Sequence, residues 1–550
     1  RDQPRSRGLG DVYKRQVWCS GILRNGQSKW NEANPSWHQV QPSCRLWQMK
    51  CWERRGMCQT ICTAMDLRQW NWWTPWNILR CAMGESSSQA KWLFQSAALT
   101  PRQTYVLDTV LRRWWGQSWS WSSEGVRKGE SSLHWDGKTV ATWEDHSLVT
   151  SSLQPKDGVK CQWGLWSEND KVALWLPFFA PRDPEPQEDA SSFLPMDPLA
   201  VTFWALTCWS EQAGEFALDL HGRPQVGSAP WASSQHDVHF HGAKWAAADQ
   251  HRLPWVECMW HGLRGRTEWT EFPTMKCQWT FDVDVAFKHL GRSWRKHWAL
   301  QCRDVFMGRW SLVLERWSVM KGRWRDPYDT YGWITKTHHG MPLTWFVLAA
   351  KRRKPFDVGL DPARSVLPAL VEQLDFAGPE HRVSWHPSWT ALSDSGVFDA
   401  ESTMVHSWPG IDPNAVRSHF LRGTPGKWWK RLVEHGISHD VSLGWSDDMG
   451  FRNGISQPFQ AYDLTREECM SLVIEPMAVM DEAMRGPLGW SPQKAAVELT
   501  RSMDAVAVVG GQWMSCWHNT SVSEDGEWEG WRATYVHMLS HAQNLGVTTL

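Results

Sequence analysis

The run Leu343-Thr344-Trp345-Phe346-Val347-Leu348 is short and almost wholly apolar. Apolar side chains on both alternating sides require a strand that is buried on two faces. A sheet covered by helices offers that place. Neighbouring sequence supplies the rest of the pattern. Cys277, Trp279 and Phe281 alternate as in a strand, and Val383-Ser384-Trp385 and Gln512–Trp517 read as two more. Helices stand between them. One is expected around Trp333 and Ile334, opened by a cap in Asp326-Pro327-Tyr328-Asp329-Thr330; others are Ser365 to Leu374, Trp428 to Glu434 stopped by Gly436, and one capped by Ser491 with Pro492 at its first position and Gly510-Gly511 at its end. Strand and helix alternate from residue 271 to residue 550, which predicts an α/β barrel-type domain.

Polar residues gather at the ends of these strands, where (β/α) barrels place their chemistry. The first strand runs into Asp282 and Asp284, whose spacing of two on an extended chain points both carboxylates the same way. Such a pair can divide into a metal ligand and a base. His386 ends the next reactive strand. Arg417-Ser418-His419-Phe420 follows, then Asp440, and finally His518 with Asn519. A loop from Asp440 to Gly454 includes Trp445, Asp447 and Arg452.

Residues 83–270 read as an N-terminal α+β domain. Tyr105, Val106, Val110, Leu111 and Trp114 form a helical stripe closed by Gly116, and Lys171–Leu176 alternates. Pro181–Ala190 is a Pro- and acid-rich loop, Asp197-Pro198 caps a helix through Phe203, and Asp219–Arg223 is a turn. His236, His239 and His241 lack an acidic or Cys partner and read as a solvated histidine loop. The short connection from Arg264 to Thr274 predicts that this domain packs on the next. Residues 1–82 show no clear period, and Arg1–Gln16 resembles a translated sequencing adapter. They are expected to be a non-native or disordered leader, with the native chain starting at Met83.

The chain has 550 residues and a net charge of −1, which suggests neither a nucleic-acid nor a membrane-surface partner. No apolar run reaches the length of a membrane span. Trp is in excess, 45 against 6 Tyr and 18 Phe, but many fall where Tyr or Leu would serve a core equally, so the excess is read as compositional. After Met83 seven cysteines remain, scattered and odd in number, which predicts reduced thiols and a cytoplasmic protein.

Residues of about 275–545 resemble the polysaccharide deacetylase (NodB homology, carbohydrate esterase family 4-like) superfamily. The resemblance rests on Thr280–Asp284, Asp326–Thr330, His386–Ser388, Asp440–Gly454, and Trp517–Asn519 with Glu527–Arg532 behind it. Thr100–Trp115, Leu194–Glu211 and Asp219–Arg223 extend it to a bacterial branch with its own N-terminal domain. It implies a distorted (β/α) barrel of the NodB type. It also implies that Asp282 is the base and Asp284, one place late in the motif, a metal ligand. His386 fits the first histidine of the His-x-x-x-His motif, but Thr390 stands where the second belongs. Arg417 would orient the base, Asp440 or Asp447 would hold Arg417, and His518 would be the general acid. His419 replaces a Pro of the motif and is the candidate third ligand; otherwise it caps a backbone carbonyl or pairs with Asp440.

The implied cofactor is a divalent metal, zinc being expected, and the implied activity is hydrolytic removal of acetyl groups from a glycan or glycan precursor. Trp389, Trp445, Trp517, Arg452 and Asn519 are the candidate substrate-binding residues. The competing reading is a catalytically degenerate deacetylase fold serving as a carbohydrate-binding or scaffold module.

Overall fold

The computed structural model describes residues 91–549, except 160, 169, 180–191, 230, 233–235, 272, 351–355 and 363–364. The chain divides into Arg1–Gln89 and Ala90–Leu550, and all described residues lie in the second unit. The expected leader over residues 1–82, the start at Met83 and the Pro181–Ala190 loop fall outside the described residues.

Three sheets run through the described residues. In the first, β1 (Trp92–Ser96), β2 (Trp119–Ser122), β3 (Glu130–Trp135) and β4 (Lys138–Glu144) lie in the order β2-β1-β3-β4. Asp136 and Gly137 join β3 to β4 with φ of 49° and 80°, the left-handed pair that a two-residue hairpin requires. The second sheet is an antiparallel succession of β5 (Cys161–Glu168), β6 (Val172–Phe179), β7 (Val238–Phe240) and β8 (Ala243–Trp245).

The third sheet contains β9 (Lys276–Val283), β10 (Leu343–Leu348), β11 (His381–His386), β12 (Ile411–Val416), β13 (His439–Asp440), β14 (Phe459–Asp463), β15 (Glu468–Ile474), β16 (Val479–Met480), β17 (Gln512–His518) and β18 (Thr548–Thr549). Its order is β14-β15-β13-β12-β11-β10-β9-β17-β16, with β18 also beside β9. Every pairing is parallel except β14 with β15. All residues of β10 and β17 are buried, as the apolar runs require.

The expected closed barrel is not formed as a ladder among the described residues. The edge strands β14 and β16 do not pair with each other, so the ladder stays open between them. The chain after β15 makes the connection instead. Glu475 donates its N–H to Asp440 O, Met477 to Leu443 O, and Ala478 to Met514 O. The result is a mixed α/β fold around a curled sheet.

The helix punctuation follows local chemistry. The Ser491 hydroxyl accepts from Lys494 N at the start of Pro492–Val509, and Gly510 ends that helix at φ 64°. Asp197 accepts the N–H groups of Leu199 and Ala200 and caps Pro198–Leu206. The stripe through Tyr105 and Trp114 is buried, but the helix Pro101–Leu107 widens to i→i+5 turns over Asp108–Trp114. The expected cap before Trp333 is corrected. Asp326 instead accepts the backbone N–H groups of Lys288, His289, Leu290 and Tyr328, and no side chain caps Tyr331–Thr337.

One hydrophobic core contains residues from Trp92 to Ala542, so the described parts of 83–270 and 271–550 share it. Polar contacts also cross between them. Glu257 accepts from Ser456 and Gln457, Arg102 pairs with Glu467 at 2.6 Å, and Arg252 with Asp448 at 2.9 Å.

Candidate metal and acid–base centre

Strand ends of the curled sheet deliver the polar groups. Asp282 lies in the last turn of β9's pleat and Asp284 just beyond it. The Oδ1 of Asp282 accepts from Arg417 Nη1 at 2.7 Å. That nitrogen also donates to the Thr280 hydroxyl at 2.8 Å, and Arg417 Nε donates to Val441 O at 3.2 Å. The guanidinium lies 4.5 Å from the centre of the Phe346 ring. Arg417 and Asp282 are both buried, so their charges meet with little solvent screening.

Asp284 sits between two imidazoles. His386, the last residue of β11, places Nε2 3.2 Å from Asp284 Oδ1, and His419 places Nε2 3.2 Å from Oδ2. The three ligand atoms lie within 4.8 Å of one another. Each imidazole is oriented from behind. His386 Nδ1 meets the Arg417 carbonyl at 2.5 Å, and His419 Nδ1 meets Asp357 Oδ1 at 2.9 Å. His419 opens a tight turn in which Phe420 and Leu421 have φ of 66° and 54°. Burial opposes a charge on His419, but Asp284 and Asp357 outweigh it and raise its pKa to about 9. Burial likewise opposes charge on Asp284, and His419 and His386 reverse that and hold it well below the usual carboxylate range. Two imidazole nitrogens with fixed far sides and one carboxylate form a donor set that fits a divalent ion such as zinc.

His518 ends β17 on the other side of Asp284. Its Nε2 is 3.6 Å from Asp284 Oδ2. Its Nδ1 lies 2.7 Å from Asp481 Oδ1, and its backbone N–H donates to Asp481 Oδ2 at 2.7 Å. Burial opposes its charge, yet Asp481, Asp284 and Asp282 raise its pKa well above the ordinary value. Cys516, two residues earlier on the strand, faces the same way. Its thiol donates to Asp282 Oδ2 at 3.3 Å, and burial pushes its pKa well up. Asp282, Cys516 and His518 form a second group of ligand-type atoms within 4.8 Å.

Several expected site residues lie elsewhere. Asp440 does not hold Arg417. It accepts from Ser442 N at 3.0 Å, and burial raises its pKa to about 6. Asp447 accepts from Val226 N instead. Arg417 is held by Asp282, Thr280 and the Val441 carbonyl, since β13 ends one residue before the carbonyl that faces it. Trp445 is buried against Phe216 and His251, and Trp517 against Tyr535 and Trp531, so neither ring faces a ligand. Arg452 is buried in an ion pair with Glu211. Asn519 is fully buried and donates to the carbonyls of Val285 and Tyr328, which ties two loops together. His419 pairs with Asp357 and Asp284, not with Asp440.

Trp389 is half-buried beside the centre. The Arg422 guanidinium lies 3.9 Å from its ring centre, and its indole N–H donates to His221 Nδ1. Phe356 lies tilted against the Trp389 ring at 5.1 Å, and Phe420 lies 4.8 Å from His221 and 4.6 Å from His419. The turn Asp219–Arg223 therefore carries His221 to the rim. The other upstream histidines stay apart from this centre: His241 occupies the hairpin turn after β7 and meets His261 at 3.0 Å.

Sequence reading missed Asp357, Asp481 and Cys516. Asp357 lies nine residues past Leu348, the end of β10, outside any apolar alternation. Asp481 follows a strand of two residues, too short to leave a pattern. Cys516 lies inside an apolar run and reads as a small hydrophobe.

No family model matches the chain, and no curated protein matches it. Among solved structures it is similar to a "putative polysaccharide deacetylase from Mycobacterium smegmatis", at 15% identity over 52% of this chain and 95% of that one, with a TM-score of 0.32. It is also similar to "Puue Allantoinase", at 13% identity over 50% of this chain and 86% of that one, with a TM-score of 0.32. At such identities and scores, the chemistry of this chain has to be read from its own side chains.

Proposed function

We propose that residues 271–550 form a metal-dependent deacetylase domain of the distorted (β/α)-barrel type, and that residues 83–270 are its N-terminal α+β domain. The observation that carries this reading is the convergence of Asp284, His386 and His419, flanked by an anchored carboxylate and an anchored imidazole. A divalent ion held by those three residues, with zinc best suited to them, would polarise an acyl carbonyl and make water more acidic.

The chain's own groups perform the proton transfers. Asp282, fixed at Oδ1 by Arg417, has Oδ2 between the Cys516 thiol and His386 Nε2, which is 3.8 Å away, and takes the proton of the attacking water. His518, held in its charged form by Asp481, gives a proton to the leaving nitrogen or oxygen. Burial of both groups keeps these transfers within the site. Phe420, His221 and Trp389 form an aromatic rim on which a sugar ring can stack. The substrate class proposed is an acetylated glycan or glycan precursor.

Elemental analysis of the purified full chain, paired with acetate release from N-acetylglucosamine oligomers, tests the reading. One ion per chain and acetate release that stops on chelation are expected. A metal-free protein that binds the oligomers without releasing acetate would point to the scaffold reading instead.

A further inference from the structure

Between β9 and β10 the chain inserts two helices, Trp294–Phe306 and Trp310–Met320, that pack on each other. Their polarity is inverted. The contact between them is polar: Arg316 donates to Asp304 at 2.6 Å and to Gln301 at 2.9 Å, and Asp304 is fully buried. The outer surface is apolar. Trp294, Trp298 and Phe306 are 68%, 64% and 93% exposed, and Trp310, Leu314 and Trp317 are 60%, 59% and 45% exposed. Spacings of four and eight along the first helix, and of four and three along the second, put these side chains in a stripe. A hairpin built for water would place them the other way round.

The charge is as uneven as the polarity. Residues 294–325 hold eight Lys and Arg against two carboxylates, Asp304 and Glu315. Both carboxylates are turned inward, Asp304 to Arg316 and Glu315 to Lys288 at 2.9 Å and His289 at 2.6 Å. Arg295, Lys296, Lys321 and Arg323 are exposed around the apolar stripe. The chain-wide net charge of −1 conceals this local excess.

We propose that this hairpin is an interfacial anchor that seats the protein on an anionic lipid bilayer. Trp, Phe and Leu side chains on an outer helical face, ringed by Lys and Arg, suit the boundary between headgroups and acyl chains. The basic excess complements anionic headgroups. It also disfavours a second copy as occupant, because two such faces would repel. Exposed Leu314 and Phe306 have no use on a nucleic-acid backbone. The anchor extends from the sheet end that carries Asp282 and Asp284. Asp326 ties its base to residues 288–290.

Co-sedimentation of the full chain with vesicles tests this. Vesicles of phosphatidylcholine and phosphatidylglycerol in equal parts should pellet the protein, pure phosphatidylcholine should pellet far less, and added salt should weaken the first. Trp298→Ser with Trp310→Ser, and separately Lys321→Glu with Arg323→Glu, should each weaken binding by about tenfold or more. Both pairs are exposed, so circular dichroism and thermal unfolding should stay unchanged. Folded protein that ignores anionic vesicles overturns the proposal, as does binding that neither pair of substitutions weakens. A concentration-dependent dimer abolished by Trp298→Ser with Trp310→Ser would give the face to a second copy and overturn it equally.

Discussion

The Nδ1 of His419 lies 2.9 Å from the Oδ1 of Asp357, and the opposite ring nitrogen faces Asp284 at 3.2 Å. Asp357 thus sets the tautomer and direction of a ligand-type imidazole without entering the centre itself. Removing its charge while keeping its shape separates orientation from ligation. Asp357→Asn is expected to weaken metal affinity roughly 10–100-fold, whereas His419→Ala abolishes both binding and turnover. Isothermal titration with zinc after chelator treatment measures each; unaltered affinity in His419→Ala would remove His419 from the ligand set.

Asp282 makes its closest bond to Arg417 and not to the three ligand-type residues. Asp282→Asn should therefore lower kcat by about 10²–10⁴-fold while the bound metal content stays at the native level. Loss of the metal together with the activity would show Asp282 to be a ligand first.

The basic limb of the kcat profile reports His518, which must be protonated to act as an acid. Its pKa is raised against the opposing effect of burial, with Asp481 the largest favourable cause. Activity is lost as pH rises through that raised pKa. Asp481→Asn removes the cause and should move the basic limb to lower pH. A limb that stays in place would assign it to another group.

Glu257 offers a stability test remote from the centre. Burial pushes its carboxyl up to about 7, against hydrogen bonds from Gln457 and Ser456. The folded state then binds a proton that the unfolded chain, near its ordinary value of about 4.3, gives up more readily. The stabilisation is full below the unfolded pKa and is lost as pH rises through about 7. Glu257→Gln mimics the protonated form and should flatten the urea stability profile across that window, by on the order of 3 kcal/mol. A profile of unchanged slope would show that Glu257 stays charged.

Spacing and apolar periodicity determined the strands that deliver Asp282, His386 and His518, because alternation is a local property of the chain. Ser491, Pro492 and Gly510 likewise marked a helix from local capping chemistry alone. Tertiary structure decided which polar groups meet. Asp357 and Asp481 reach His419 and His518 across 62 and 37 residues of sequence, and no local pattern carries that distance. It also decided what Trp does. Trp445 and Trp517 beside the motifs are core, while Trp294 and Trp298 in the helix Trp294–Phe306 are exposed, because burial depends on what packs opposite a side chain and not on its neighbours in the chain.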